Sequence, residues 1–375
     1  MPELDKKLTP QPIGNQTSGL TTPKKRSIRK IILWISCVLI AVIIGVAASG
    51  IIWYNVNLTS VGNDSSLLKK ITIDLNSTPA QIGKQLEDES IIRSATAFDI
   101  YLRLSGKRDI LKAGTYLLSP AETTQQIVEH FVDGTVDTFN ITFYPGATLI
   151  DKSDKQKKYD VTTALKNTGF YTDSEISAAL SDTYESPLFV GKPAGTDLEG
   201  YIYGETYNFN VGVTVGDILQ RTFDEFYAKI EDNNLIDSFS SHNLNLYQGI
   251  TLASIVQREV NNPEDQKKAA QVFYSRLDLG MNLGSDVTYQ YIADKTGVAR
   301  DFNLDSPYNT RRYPGLPPGP IATPGLSALL AVAQPAEGDY LYFLSGDDGV
   351  TYFARTNAEH EANVLDHCKE NCSTQ

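Results

Sequence analysis

The chemistry of this chain centres on Glu259. Along Thr251-Leu-Ala-Ser-Ile-Val-Gln-Arg-Glu-Val260, a helix at 100° per residue gathers Leu252, Ile255, Val256 and Val260 into one apolar stripe, and Glu259 falls inside it. Gln257 and Arg258 are expected to point the other way. A carboxylate in an apolar stripe must be paired, protonated or turned to a cleft, because burying the bare charge is too costly. Such a setting prepares a general acid. The same position, in the last turn before Asn261-Asn262-Pro263, also suits a carboxylate that simply reaches out to solvent.

Three further stretches carry polar groups at suggestive spacing. Asp197-Leu-Glu-Gly-Tyr-Ile-Tyr-Gly-Glu-Thr-Tyr207 sets Glu199 and Glu205 among Tyr201, Tyr203 and Tyr207. Sugar sites are built this way, with aromatic faces stacking on pyranoses and carboxylates binding hydroxyls; an ordinary β-hairpin with surface tyrosines reads the same. Ser285, Asp286 and Thr288 put polar groups on an expected loop, although Asp286 alone would pass for a turn residue. Tyr308-Asn-Thr310 precedes Gly315-Leu-Pro-Pro-Gly-Pro-Ile-Ala-Thr-Pro-Gly325, a stiff irregular segment suited to lining a groove or to connecting two elements rigidly.

The elements that must position these groups are legible in outline. The 375 residues carry a formal net charge of −12, but residues 1–30 hold seven basic against two acidic side chains, a net of +5 that leaves −17 for the remainder. An acidic body argues against nucleic acid as the ligand. Ile31 to Trp53 is almost continuously apolar, long enough at ~1.5 Å per residue to span a ~30 Å hydrocarbon core. Basic residues before it predict a cytoplasmic N-terminus and an exported body; the competing reading is a signal peptide cut near Val46-Ala47-Ala48. Cys37 lies in this span. Cys368 and Cys372 close the chain, either as a small disulfide loop or as separate thiols, and with His367 they make an unconvincing zinc set.

After a spacer at 54–69, Ile71–Leu75 alternates as a strand. Thr78-Pro-Ala-Gln81 caps a helix, Ser94 to Ser105 forms a second, Lys112–Leu118 a strand, and Thr123-Thr-Gln-Gln126 caps a third helix. Residues 70–136 are thus a small α+β unit. Residues 137–195 read as a connecting region that opens on a strand at Phe139–Tyr144 and continues in short helices. From 196 to 365 a helix capped by Thr214 leads through a polar loop at Asp237–Asn245 to the Glu259 helix, then to a helix capped at Asn262 and two closing strands at Tyr340–Phe343 and Thr351–Phe353. Residues 366–375 are a tail.

Several of these stretches resemble the YceG-like family of membrane-anchored endolytic murein transglycosylases. Ala113-Gly-Thr-Tyr-x-Leu118 is similar to a segment of the family's LysM-like module. Leu198-Glu-Gly-Tyr201 with Thr206-Tyr207, Leu252-Ala-Ser-Ile-Val-x-x-Glu259, Gly280-Met-x-Leu-x-Ser-Asp-x-Thr288, Tyr308-Asn-Thr310 and Gly315-Leu-Pro-Pro-Gly-Pro-Ile-x-x-Pro-Gly325 follow the catalytic domain's motifs in order. The chain departs from the family at Tyr144-Pro-Gly-Ala147, where a Pro-Glu-Gly turn is usual. It departs again at Ile202-Tyr-Gly204, where Leu-Phe-Pro is usual, and at Gln257, where a second Glu is frequent.

The resemblance implies an α+β protein with one transmembrane helix, a LysM-like module and a catalytic domain outside the cytoplasmic membrane. It implies glycan strands of peptidoglycan as substrate, peptidoglycan synthases as partners, and no metal or cofactor. Glu259 is then the catalytic residue, and Glu199, Tyr201, Glu205, Tyr207, Ser285, Asp286, Thr288, Asn309 and Thr310 are candidates to orient the glycan. For His360, in the family's recurring Glu-His near the domain end, a structural hydrogen bond is expected. Ordinary glycosidases need two carboxylates, whereas a lytic transglycosylase manages with one acid that becomes the base. Two other classes stay open: a hydrolytic muramidase recruiting Asp286 or Glu205, and a membrane-anchored glycan-binding scaffold without turnover.

Overall fold

The computed structural model describes residues 26–134, 137–153 and 159–369, which form a mixed α+β protein led by one long apolar helix. Helix α1 (Arg26–Asn57) contains the stretch Lys30–Asn57, none of it buried in the protein and long and apolar enough to cross a membrane. Ser49 Oγ, within the span, donates back to Gly45 O at 2.8 Å, so its hydroxyl needs no water.

The helix outruns the expected 31–53 span, and the expected spacer is a docked edge. Thr124 N donates to Leu58 O at 3.1 Å, Gly62 N to Pro120 O at 2.8 Å, and Arg93 grips Ser60 O through Nε and Nη2 at 3.0 and 2.7 Å. Leu58, only 8% exposed, plugs this contact. The edge docks onto a compact unit in which β1 (Lys69–Ile73) pairs antiparallel with β2 (Gly114–Leu118), Ile71 facing Tyr116. Helices α2 (Pro79–Asp88), α3 (Ala95–Ser105) and α4 (Thr124–Asp133) cover that ribbon. Thr78 with Gln81 and Thr123 with Gln126 form capping boxes at the expected positions, and Ser94 caps α3. Leu86, Phe98, Leu102, Tyr116, Ile127 and Phe131 make a separate core.

Residues 137–195 share both sheet and core with residues 196–365. Strand β3 (Thr138–Thr142) pairs antiparallel with β4 (Thr206–Asn210), Ile141 opposite Tyr207. Helices α5 (Val161–Asn167) and α6 (Asp173–Ser181) and a 3-10 turn at Pro187–Phe189 lay Leu165, Ile176 and Leu188 into one core with Phe223, Ile255 and Leu329. Just before β4, Gly204 lies so close to the preceding turn that a Cβ there would meet Pro145 N at 2.5 Å and Tyr144 C at 2.8 Å.

Helix α7 (Val215–Asp232) starts on the Thr214–Asp217 box and buries Ile218, Leu219, Phe223, Phe226 and Ile230. The stretch expected as a polar loop holds another helix, α8 (Leu235–Ser241), because Leu235 and Phe239, one turn apart, give the short segment a buried face. Helix α9 (Leu246–Glu259) begins six residues before the first residue of its apolar stripe, on an Asn245–Gln248 capping box, and every residue from Tyr247 to Val256 except Gln248 is buried. It is the axis of the domain: α8, α10 (Pro263–Asp278), α11 (Asp286–Thr296) and α12 (Leu326–Ala333) all pack against it. At Gly249 it approaches α8 so closely that a Cβ would fall 2.3 Å from Phe239 Cδ2. A hairpin of β5 (Tyr342–Ser345) and β6 (Thr351–Ala354) with α13 (Asn357–His367) closes the chain. Cys37 is free and exposed on α1, Cys368 is disulfide-bonded, and Cys372 lies outside the described residues.

Candidate active site

Glu259 is the last residue of α9. Val260 turns to extended backbone (φ −139°, ψ 142°), and Asn262 caps α10 at once, so the carboxyl sits in the elbow between two helices. There Ser285 Oγ donates to Glu259 Oε1 at 2.5 Å. Loss of water pushes the Glu259 pKa up from 4.5 to about 7, with Asp286 adding to the rise; the Ser285 hydrogen bond and the charges of Arg258 and Arg276 hold it down. A carboxyl so placed is half protonated near neutrality, the condition under which one group can both give and take a proton.

The hydroxyl that reaches Glu259 comes from a helix N-terminus, not from a loop as expected. Ser285 occupies the N-cap position of α11 but makes no capping bond, because its side chain is spent on Glu259. Two threonines hold it there. Thr288 Oγ1 donates to Ser285 O at 2.6 Å, Thr310 Oγ1 accepts from Ser285 N at 3.1 Å, and the two threonine hydroxyls meet at 3.0 Å. All three residues are buried. Asp286, beside them, is ion-paired with Arg311.

The remaining sequence candidates occupy other places. Asn309, fully buried, donates to Phe302 O and Leu304 O at 2.9 Å each and accepts Arg311 N at 3.1 Å, which shapes the turn that delivers Thr310. Glu199 joins the second and third turns of α11 rather than its first: it accepts from Leu149 N at 3.0 Å, Tyr291 Oη at 3.0 Å and Lys295 Nζ at 3.3 Å, while Lys295 also binds Asp197 at 2.6 Å. Tyr201 is fully buried against Phe189, and Tyr207 is 6% exposed with its hydroxyl on Tyr203 O. Their ring faces are therefore covered by protein. Glu205 is exposed at the start of β4, its carbonyl taking Phe143 N. The ring of His360 stacks on Tyr342; its Nδ1 is buried with no hydrogen-bond partner among the described residues, so the expected structural bond is not made there.

Sequence reasoning missed one neighbour of Glu259. Arg276 on α10 is tied to Leu341 O at 2.7 Å and Leu283 O at 2.6 Å and bears on the carboxyl from that side. Gln257 and Arg258 point away from Glu259 as the stripe predicted and are only half-buried, lining a cavity on the far side of the helix end. Gln257 Oε1 accepts Gly325 N at 2.9 Å, Ser254 Oγ accepts Ile321 N at 3.0 Å, and Tyr247 Oη donates to Pro318 O at 2.8 Å. Polar residues at 247, 254 and 257 thus strap the Pro-rich 315–325 segment along one side of α9, and their helical spacing was the available signal.

The sequence pattern of the YceG-like family matches residues 71–366. A protein of Bacillus subtilis named endolytic murein transglycosylase is 31% identical over 314 residues, spanning 81% of this chain and 86% of that one. One of the same name from Streptococcus pneumoniae is 30% identical over 333 residues, again 81% of this chain but 59% of its own length. A crystal structure of a protein described as YceG-like from Listeria monocytogenes superposes with a TM-score of 0.50 at 28% identity, over 79% of this chain and 99% of that one.

Proposed function

Because the chain belongs to the YceG-like family, we propose that it is an endolytic murein transglycosylase in which Glu259 is the sole acid–base group. The observation that carries this reading is the 2.5 Å bond from Ser285 to one oxygen of a carboxyl whose pKa lies at about 7. In the neutral acid the bonded oxygen is the carbonyl, and the other carries the proton toward substrate.

Glu259 gives that proton to the oxygen joining N-acetylmuramic acid to the next N-acetylglucosamine. The bond from that oxygen to muramic C1 breaks, the N-acetylglucosamine leaves with a hydroxyl, and positive charge spreads over C1 and the ring oxygen. Glu259, now ionised, takes the proton of the muramic C6 hydroxyl, whose oxygen closes onto C1. The product is a 1,6-anhydro end, no water is consumed, and the enzyme returns to its acid form. A second carboxylate has no part in this scheme, and Asp286, the nearest candidate, is already paired with Arg311. Ser285, Thr288 and Thr310 set the carboxyl, while Asn309 and Glu199 hold the elements that carry them.

In this reading α1 anchors the protein in the cytoplasmic membrane with its basic N-terminal tail inside, and the rest of the chain meets nascent murein outside. The 70–136 unit is a LysM-like module that engages glycan, and peptidoglycan synthases are the partners whose strands are cut. The test uses the full chain in detergent with purified peptidoglycan and mass spectrometry of the products, beside Glu259→Gln. Ends in 1,6-anhydro-muramic acid, absent with the variant, are the expected result. Reducing ends would replace the reading with hydrolysis, and intact glycan that still binds would leave a scaffold.

A further inference from the structure

The end of α9 divides two surfaces. Glu259 leaves it on one side toward Ser285; on the other, Gln257, Arg258 and Asn261 line a cavity of about 510 Å³ whose far wall is Tyr144, Gly146 and Tyr159. That volume lies in the range of small-molecule sites. Tyr144 and Tyr159 meet edge to face at 5.4 Å, and both are well exposed, so the outer wall presents aromatic surface to whatever enters.

Arg258 is the unusual member. Its guanidinium has five N–H groups, yet among the described residues its one hydrogen bond is a long 3.5 Å contact to Gly146 O, and no carboxylate lies within ion-pair distance. The acids close enough to act on its charge are committed elsewhere. Asp294 is clasped by Arg300, Glu199 by Lys295, Tyr291 and Leu149 N, and Asp151 accepts from Ser153 N and Oγ. Loss of water and the nearby Arg300 pull its pKa below the ordinary guanidinium value. A half-buried cation with donors to spare, lining both this open cavity and a small closed one beside Asp151 and Asp294, is prepared for an anion, and guanidinium suits planar carboxylate in particular.

We infer that this cavity receives a carboxylate carried on the side branch of a muramic residue, with Arg258 as its ligand, Asn261 beside it and Tyr144 and Tyr159 against the branch. The inference rests on the murein reading above. A strand lying across the elbow then sets its cleaved bond at Glu259 and its branch over the helix end, and the charge of Arg258 already reaches Glu259. Two sources share this chemistry: the lactyl carboxylate of an unsubstituted muramic residue, and the carboxylates of a peptide stem.

The test is calorimetric titration of the full chain in detergent with N-acetylmuramic acid, with N-acetylmuramyl-L-alanyl-D-isoglutamine, and with uncharged chitotetraose. Arg258→Gln is expected to weaken binding of a carboxylate probe tenfold to a hundredfold, as for other hydrogen bonds to charge, and to leave chitotetraose unchanged. Loss confined to the first probe assigns the lactyl group, and loss confined to the second assigns the stem. Should Arg258→Gln lose thermal stability, the double variant Tyr144→Ala with Tyr159→Ala, both exposed, decides through the same selective weakening. Equal affinities for all three probes in the wild type, or identical binding by folded variants, would overturn the inference. Since no turnover is measured, that failure would leave the Glu259 reading standing, and hydrolytic products would leave this one standing.

Discussion

Replacing Ser285 by alanine removes the only side-chain hydrogen bond made to Glu259 among the described residues. A hydrogen bond to an ionised group is worth about 1.5–3 kcal/mol, and one pKa unit corresponds to ~1.4 kcal/mol, so the Glu259 pKa should climb by roughly one to two units. It starts at about 7, because the bond now opposes desolvation. The reacting form is the protonated acid, so activity falls as pH rises through this pKa. Ser285→Ala should therefore carry the alkaline limb of the kcat–pH profile to higher pH by about one to two units, while lowering the plateau because the carboxyl is less well held. The assay is release of soluble muropeptides from peptidoglycan at saturating substrate between pH 5 and 10. Thr288→Val keeps the Ser285 hydroxyl but removes the bonds behind it, and should move the same limb less. An unmoved limb, or one displaced to lower pH, would refute the idea that Ser285 acts on the ionised carboxylate.

Glu259→Gln should stabilise the fold selectively at high pH. The raised pKa, about 7 against 4.5, means the native state resists ionisation, so the wild type loses stability between those values and the variant does not. The difference, at most about 3 kcal/mol by pH 8 and absent at pH 4, is read by urea unfolding. Lys295→Met should destabilise by about 3–5 kcal/mol, because it strands Glu199, whose side chain is 4% exposed. That loss should shrink in acid, where Glu199, already raised by burial, takes up a proton. Glu199→Gln should cost less and leave KM for glycan unchanged; a raised KM at unchanged stability would return Glu199 to the substrate. Gly249→Ala should lower stability by about 1–3 kcal/mol in thermal melts, since the new methyl group meets Phe239.

Local rules carried the reading wherever the decisive contacts are local. The boxes at Thr78, Thr123 and Thr214 and the cap at Asn262 each depend on residues three or fewer positions away, and all were visible. The stripe also led to Glu259, although its premise, one face packed and one wet, fails for a helix enclosed by four others. Gln257 and Arg258 point away from Glu259 as that stripe required, but their partners, Gly325 N and Gly146 O, lie far along the chain and left no local signal. Helix α8 escaped because its two apolar anchors are diluted among polar residues. The partners of Glu199 escaped for a different reason: Tyr291 and Lys295 lie more than ninety positions along the chain, and no periodicity links them to it. Ser285 was visible as a polar candidate near the site, but whether its hydroxyl serves a helix end, a sugar or a carboxyl depends on where α9 stops in space.

Gly204 packs directly against the backbone of Tyr144 and Pro145. A residue other than glycine at 204 has to displace the backbone of Tyr144 and Pro145, and that backbone is the wall of the Arg258 cavity. The stretches at 144–147 and 202–204 thus meet in one contact, and a change in either bears on the other. Gly204→Pro alone should be incompatible with the 144–147 turn as it stands. A larger residue at 204 therefore has to be accompanied by a change at 144–147, and such a pair would reshape the cavity wall beside Arg258.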